Sequence, residues 1–268
     1  MAGAVRHPQE CCRFRHRLSI WSVPVRLRYE REEGDAVEFL LLFNERKGTP
    51  PPEAEGRAAM TKYSGELRSR GVLRRGGPLA PASAGAGVRV RDGKAFVTDG
   101  PFAETKELIA GFWIVDVADR AEALEIARRC PHAQRGPIEL HALQERYPFT
   151  GSENGTPFLL AFRMEPGLSD PDGAKRREMI GFAQAQAREG TVFEIAPLAA
   201  DPPPARIEAK AGKMFVTDGP FAETKDAIGG YSLVRATGRA AAIELAKRYP
   251  HARWGPVEVR EILFLDPV

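Results

Sequence analysis

His132 and His251 are the side chains best suited to chemistry near neutral pH, and they recur in one setting: PHAQRGP at 131–137 and PHARWGP at 250–256. An imidazole titrates closer to neutrality than any other side chain, so each can take a proton from a bound molecule and return it. Asp99 and Asp218 recur with them, inside KAFVTDGPFAETK at 94–106 and KMFVTDGPFAETK at 213–225. An aspartate from a neighbouring loop would orient each imidazole and complete an acid–base pair. Within the same block, backbone amides around Phe102 and Phe221 would converge at the start of a helical turn, with Lys106 and Lys225 close by, an arrangement suited to an anion. Glu104 and Glu223 add carboxylates to that loop. Arg74, beside Gly76-Gly77, forms a further ligand-contacting patch, which the second half, with Phe193 in place of Arg74, does not repeat.

These residues also admit a purely structural reading. Each histidine follows the end of an expected helix, where an imidazole helps satisfy the last carbonyls. The Asp-Gly-Pro turn is rigid in itself: proline fixes its backbone angle, and Asp or Thr caps the amides it exposes. Glu139 and Glu258 are shared by the halves, but strand carboxylates are commonly exposed. His141 becomes Arg260, as on a solvated strand face.

The two blocks stand 119 residues apart and agree at 12 of 13 positions, so the chain carries an internal duplication. Its 268 residues suffice for two ordinary domains. The expected layout is a basic leader at 1–36, domains at 37–148 and 157–268, and a linker at 149–156. The leader is read as a disordered tail, as a basic arm, or as residues upstream of a true start at Val37.

Net charge is +3, but the first 28 residues hold six Arg against one Glu, which leaves the remainder at −2. Two near-neutral domains lack the concentrated basic face that direct nucleic-acid binding requires. Three cysteines, two of them adjacent, make neither a disulfide framework nor a zinc site, and they fit a reducing cytoplasm. No apolar run approaches the ~20 residues of a membrane span. Metal-ligand clusters, phosphate loops, nucleophile elbows and dinucleotide fingerprints are missing too, so neither metal nor cofactor is expected.

What must position the chemistry is a repeated order of elements. Apolar runs at 38–43 and 157–162 predict first strands. Helical spacing follows at 53–70, echoed by Met179 and Phe182. Second strands lead into Pro-rich loops, and a hairpin at 88–98 turns on Asp92-Gly93, with Ala211-Gly212 as its counterpart. Third strands at 111–117 and 230–236, helices at 120–130 and 239–249, and fourth strands at 138–143 and 257–262 complete each half. Strand, helix, strand, strand, helix, strand specifies a ferredoxin-like α+β unit with both helices on one face of a four-stranded sheet. Phe112 and Ile114 face one way in the third strand, Trp113 and Val115 the other, so the open face needs an apolar cover. The neighbouring sheet supplies it, which gives an intramolecular pseudo-dimer packed sheet to sheet as a dimeric α/β barrel. In that topology the repeated loop and the histidine turn reach the same rim.

The TDGPFAETK block, the GFWIVDV strand, the PHA turn and the Gly-Pro-Ile-Glu strand together resemble the YCII-related family, in its DGPF-domain branch, over roughly 37–143 and again 156–265. The resemblance implies a ferredoxin-like fold that assembles through its sheets. It also implies small-molecule enzymology around a His–Asp pair, and a genomic association with extracytoplasmic-function sigma factors. Carried over, the family's loop falls on Asp99 to Lys106 and Asp218 to Lys225, and its PHA turn on His132 and His251. Two functions follow as expectations. One is a protein that binds, and as an acid–base enzyme transforms, a small polar or anionic molecule, using His132 and His251 as proton carriers, Asp99 and Asp218 as orienters, and Lys106 and Lys225 as anion contacts. The other is a non-catalytic adaptor that docks on a sigma factor.

Overall fold

Each half builds its sheet from strands that alternate between two apolar environments, and everything else in the fold follows from covering both. The structure, a computed structural model, describes residues 36–100, 107–150, 154–165, 167–170, 172–219 and 227–265. The leader, and with it any contact made through it, lies outside these residues.

The first half runs β1 (Val37–Arg46), α1 (Ala54–Ser69), β2 (Leu73–Pro78), β3 (Ala86–Arg91), β4 (Lys94–Asp99), β5 (Glu107–Val117), α2 (Arg120–Arg129) and β6 (Ile138–Ala142). After the short β7 (Tyr147–Pro148), the second half repeats the order. It comprises β8 (Thr156–Arg163), α3 (Ala174–Arg188), β9 (Val192–Pro197), β10 (Ala205–Lys210), β11 (Lys213–Asp218), β12 (Ile228–Ala236), α4 (Arg239–Arg248) and β13 (Val257–Glu261). Helix α2 starts on a side-chain cap: the N-cap Asp119 carboxylate accepts the Glu122 amide at 2.8 Å, and Glu122 reaches back past the cap to the Ala118 amide at 3.0 Å.

Strand pairing gives two antiparallel sheets, in the orders β11-β10-β6-β1-β5-β2 and β4-β3-β13-β8-β12-β9-β7. Each contains the expected four-strand core, β6-β1-β5-β2 or β13-β8-β12-β9. Each is also wider than four strands, because the hairpins are exchanged. The first half's β3–β4 pairs with β13 of the second half, Val88 opposite Val257, and the second half's β10–β11 pairs with β6 of the first, Ile207 opposite Ile138. The physical reason lies in the edges. The fourth strand of a ferredoxin-like sheet has one unpaired side. The chain leaving β2 is already beside that strand in the other half, through the Leu79–Ile262 bridge, so the hairpin continues along it.

Both expected turns form with both central residues at positive φ: Asp92 at 50° and Gly93 at 72°, Ala211 at 48° and Gly212 at 75°. Among the described residues three apolar clusters divide the interior. Phe39, Leu41, Trp113 and Val115 meet the first pair of helices, and Phe158, Leu160, Ile243 and Tyr249 belong to the second helix-side core. Leu40, Leu42, Phe112, Ile114, Leu159, Tyr231 and Leu233 pack between the sheets. The face assignments expected for 112–115 hold, and the sheets cover one another.

Candidate functional site

Both imidazoles are buried, and each ties its turn to the end of the first strand of its own half. His132 lies in a short 3-10 turn (Pro131–Gln134) with Nε2 3.0 Å from the Asn44 carbonyl, and His251 in Pro250–Arg253 with Nε2 2.8 Å from the Arg163 carbonyl. A carbonyl only accepts, so Nε2 carries the proton and donates it, which leaves Nδ1 with the lone pair. Phe43 and Phe162 lie against the rings, with centroids 5.1 and 5.2 Å away. The glycines of the motif approach the same carbonyls: a Cβ on Gly136 would lie 2.1 Å from the Asn44 oxygen, and one on Gly255 would lie 2.4 Å from that of Arg163. Burial lowers the pKa of both imidazoles, more than the accepting carbonyls raise it, so both are neutral at pH 7.

Asp99 and Asp218 do not meet these rings. Asp99 pairs with Arg239, the first residue of α4, and Asp218 with Arg120, the first residue of α2. His251 and His132 follow the other ends of those same helices, about 15 Å along a ten-residue helix. The cross combinations are separated by both sheets. Asp99 sits opposite Ala86 on the helix-covered face of one sheet, whereas His132 packs on the helix-covered face of the other, and Asp218 and His251 are related in the same way. What orients each imidazole is a backbone carbonyl. Phe102, Glu104, Lys106, Phe221, Glu223 and Lys225 lie outside the described residues.

Arg74 makes two bonds to one oxygen of Asp116, at 2.9 and 2.5 Å, an ion pair between neighbouring strands. The adjoining glycines answer to packing. A Cβ on Gly76 would meet the Trp113 ring at 2.3 Å, and one on Gly77 the Phe264 carbonyl at 2.1 Å.

A cavity of about 700 Å³ opens beside His251. Its walls come from the three connections expected to share a rim in the second half: Met164, Leu168, Ser169, Asp170 and Asp172 between β8 and α3, with Lys175 and Arg176 from the first turn of α3, Ile195 to Asp201 at the end of β9, and His251 with Trp254 after α4, joined by Gly229 and Gly230. Phe162, Met164, Met179 and Ile195 make it largely apolar, and Gln144, Lys175, Arg176 and Asp201 bring polar groups. Asp170 and Asp172 also line it but are engaged at the start of α3. Asp170 accepts the amides of Lys175 and Arg176, each at 2.9 Å, and Asp172 that of Ala174 at 3.1 Å. Burial raises the pKa of the Asp170 carboxyl, but the two donated amides and the Lys175 and Arg176 cations outweigh it, so the pKa is depressed.

The strand positions expected to be solvated are buried instead. Glu258 and Arg260 are each 2% exposed, and His141 is 7%. Arg163 binds Glu258 through Nε at 2.9 Å and Nη2 at 2.5 Å, and Arg260 reaches its other oxygen at 3.0 Å. In the other sheet Glu139 accepts from His141, its neighbour on the same face of β6, at 3.1 Å, while Arg206, delivered by the exchanged hairpin, binds Glu107 at 2.9 and 2.5 Å. The alternation in these strands suggested solvent because the sequence does not show that another half's hairpin covers that edge. Among the described residues no group of three or more His, Cys, Asp and Glu is placed to hold a metal ion, and no helix is long and apolar enough to cross a membrane.

Fold and site together define a tandem α+β protein, two ferredoxin-like units closed sheet to sheet. The chain belongs to the YCII-related domain family, which matches it twice, at 37–145 and 157–265. An uncharacterized protein of Rhizobium meliloti (strain 1021), R00369, is 47% identical over 55 residues, or 20% of this chain and 44% of that protein, so the chain spans less than half the length of this curated relative. Among solved structures, the chain is similar to FN1347 of Fusobacterium nucleatum, described as a candidate monooxygenase. The TM-score is 0.43 at 9% identity, covering 87% of this chain and 95% of that one. A heme-binding protein of Thermus thermophilus follows at TM-score 0.39 and 10% identity, covering 85% and 91%.

Proposed function

We propose that this protein binds a small polar or anionic organic molecule in the cavity beside His251, and that His251 exchanges a proton with it at Nδ1. The observation that carries this reading is a neutral, buried imidazole, one nitrogen already committed to a carbonyl, lining a mixed apolar and polar cavity of about 700 Å³. Such a group is a base of fixed tautomer, and its lowered pKa keeps it unprotonated at neutral pH. The apolar wall supplies contact area, and a few polar groups set orientation, as in small-molecule sites generally. His132, in the matching turn, serves as the structural half of the comparison.

The test is a thermal-shift screen of small carboxylic acids, alcohols and amides against the full chain, repeated on two variants. Met179→Trp fills the cavity from α3 and is expected to remove the stabilisation given by any hit. His132→Asn is expected to retain it. Hits that survive Met179→Trp unchanged would place binding elsewhere and end this reading.

A further inference from the structure

The two copies of this rim differ by a pair of compensating replacements. In the first half the Pro50 carbonyl accepts a 2.7 Å bond from Arg135, whose guanidinium also reaches Glu45 at 3.3 Å. The matching carbonyl in the second half belongs to Ser169, and Lys175 Nζ takes it at 2.7 Å. Lys175 stands where the first half has Gly56, and Trp254 where it has Arg135. The cation that closes the loop after the first strand thus comes from the histidine turn in one copy and from the following helix in the other. Supplying it from the helix frees the turn position for an aromatic ring. Trp254 takes that position and lines the cavity with His251, with Lys175 Nζ 5.8 Å from its ring centre.

We infer that the duplicated rims have diverged in role: Arg135 closes the first, and the exchange to Trp254 and Lys175 opens the second to a molecule with an aromatic or similarly flat apolar body and a hydroxyl donor. This rests on the reading of the cavity as a ligand site. The hydroxyl follows from the balance of the wall: Asp170 and Asp172 are held by backbone amides and Lys175 by Ser169, while His251 keeps an acceptor at Nδ1 and Gln144 and Asp201 bring further acceptors, against one further cation among the described lining residues, Arg176. The flat body follows from Phe162 and Trp254 among the lining residues.

The probe is 2-naphthol, titrated calorimetrically into the full chain, with 2-naphthoate as the charged comparison. The wild type is expected to bind one 2-naphthol per chain and to prefer it to 2-naphthoate. Trp254→Arg with Lys175→Gly, which rebuilds the first rim in the second half, should weaken binding at least tenfold while circular dichroism and Tm show a folded chain. The reverse pair, Arg135→Trp with Gly56→Lys, should raise the stoichiometry toward two. Trp254→Phe keeps the aromatic wall and should bind within a few fold of wild type, which covers the case in which the double variant fails to fold. Two equal sites in the wild type, or undiminished binding after the Trp254→Arg and Lys175→Gly exchange, overturns the divergence. A preference for 2-naphthoate, or no binding of 2-naphthol, overturns the hydroxyl class. If Met179→Trp binds as tightly as wild type, the cavity reading itself fails, separately from the rim comparison.

Discussion

Asp99 pairs with Arg239, 140 residues away and at the first position of the other half's second helix. The same relationship joins Asp218 to Arg120. Both pairs are consequences of the hairpin exchange, because each aspartate ends a strand that belongs to the opposite sheet. The most prominent repeated carboxylates therefore act between the halves. The pairs are well exposed, and exposed ion pairs contribute ~0–1 kcal/mol. Asp99→Asn is accordingly expected to cost less than about 1 kcal/mol in urea denaturation, and to leave ligand binding at the cavity unchanged. A variant that folds normally yet loses binding would restore the aspartate to the site.

The exchange makes each sheet a joint product of both halves. A protease site placed within 149–156 and cut in the folded protein should leave the two pieces associated, eluting together in size-exclusion chromatography without denaturant. Separation of the pieces at micromolar concentration would contradict the strand order.

Glu258 answers two buried guanidiniums at once. Burial alone would raise its pKa, but Arg163 and Arg260 outweigh burial and hold it below the usual carboxylate range. Removing one member of a buried ionic group leaves uncompensated charge, at a cost of ~3–5 kcal/mol. Glu258→Ala should shift the urea midpoint accordingly, and Glu258→Gln, which keeps the shape and one acceptor, should recover part of the loss. A change under about 1 kcal/mol would mean that the guanidiniums reach water, as they do in surface pairs.

The fold was legible where local pattern decides it. Alternation in 112–115, the Asp-Gly turn and the two-helix order led directly to ferredoxin-like units facing each other. What the pattern could not carry was the partner of each hairpin. A strand records which of its faces is apolar, not whose edge it joins, so Glu139, His141, Glu258 and Arg260 read as solvated when they are covered. The repeated block misled in a related way. Core packing does not account for the near-identity of its first six residues in the first copy, since β4 is exposed along its whole length, although Met214 and Val216 of β11 pack against the core in the second. The signal for the proposed site lies in a difference between the halves. Arg135 against Trp254 is visible in PHAQRGP and PHARWGP, but only the Pro50 and Ser169 carbonyls give that contrast a meaning.

Ala211 occupies the left-handed region at φ 48°, in the place where the first half has Asp92. An alanine there costs ~1–2 kcal/mol, whereas asparagine adopts this geometry readily and Asn-Gly is the favoured sequence for the turn. Ala211→Asn is expected to stabilise the protein by roughly 0.5–1 kcal/mol, a gain of the size seen when a residue is matched to its backbone geometry. No gain in Tm would show that the turn is not held in this geometry in solution.

Stability should fall on acidification in two separate windows. For His132 and His251 the native pKa is depressed, while the unfolded imidazole titrates near ~6.5. Between those values the unfolded chain binds more protons than the native one, so stability is complete above about pH 6.5 and declines as the pH drops toward the native pKa. For Glu139, Glu208 and Glu258 burial acts upward, but their hydrogen-bonded and charged partners prevail and depress the native values. Their contribution is present above ~4.3, the ordinary value for Glu, and is lost as the pH falls through the native values. Urea denaturation from pH 8 to about pH 2 should therefore show a shallow upper decline followed by a steeper lower one below ~4.3. His132→Asn with His251→Asn should flatten the upper window and leave the lower one in place. If the double variant keeps the same dependence between pH 7 and 5.5, then the imidazoles are not buried as neutral donors to Asn44 and Arg163, and the base proposed at Nδ1 loses its fixed tautomer.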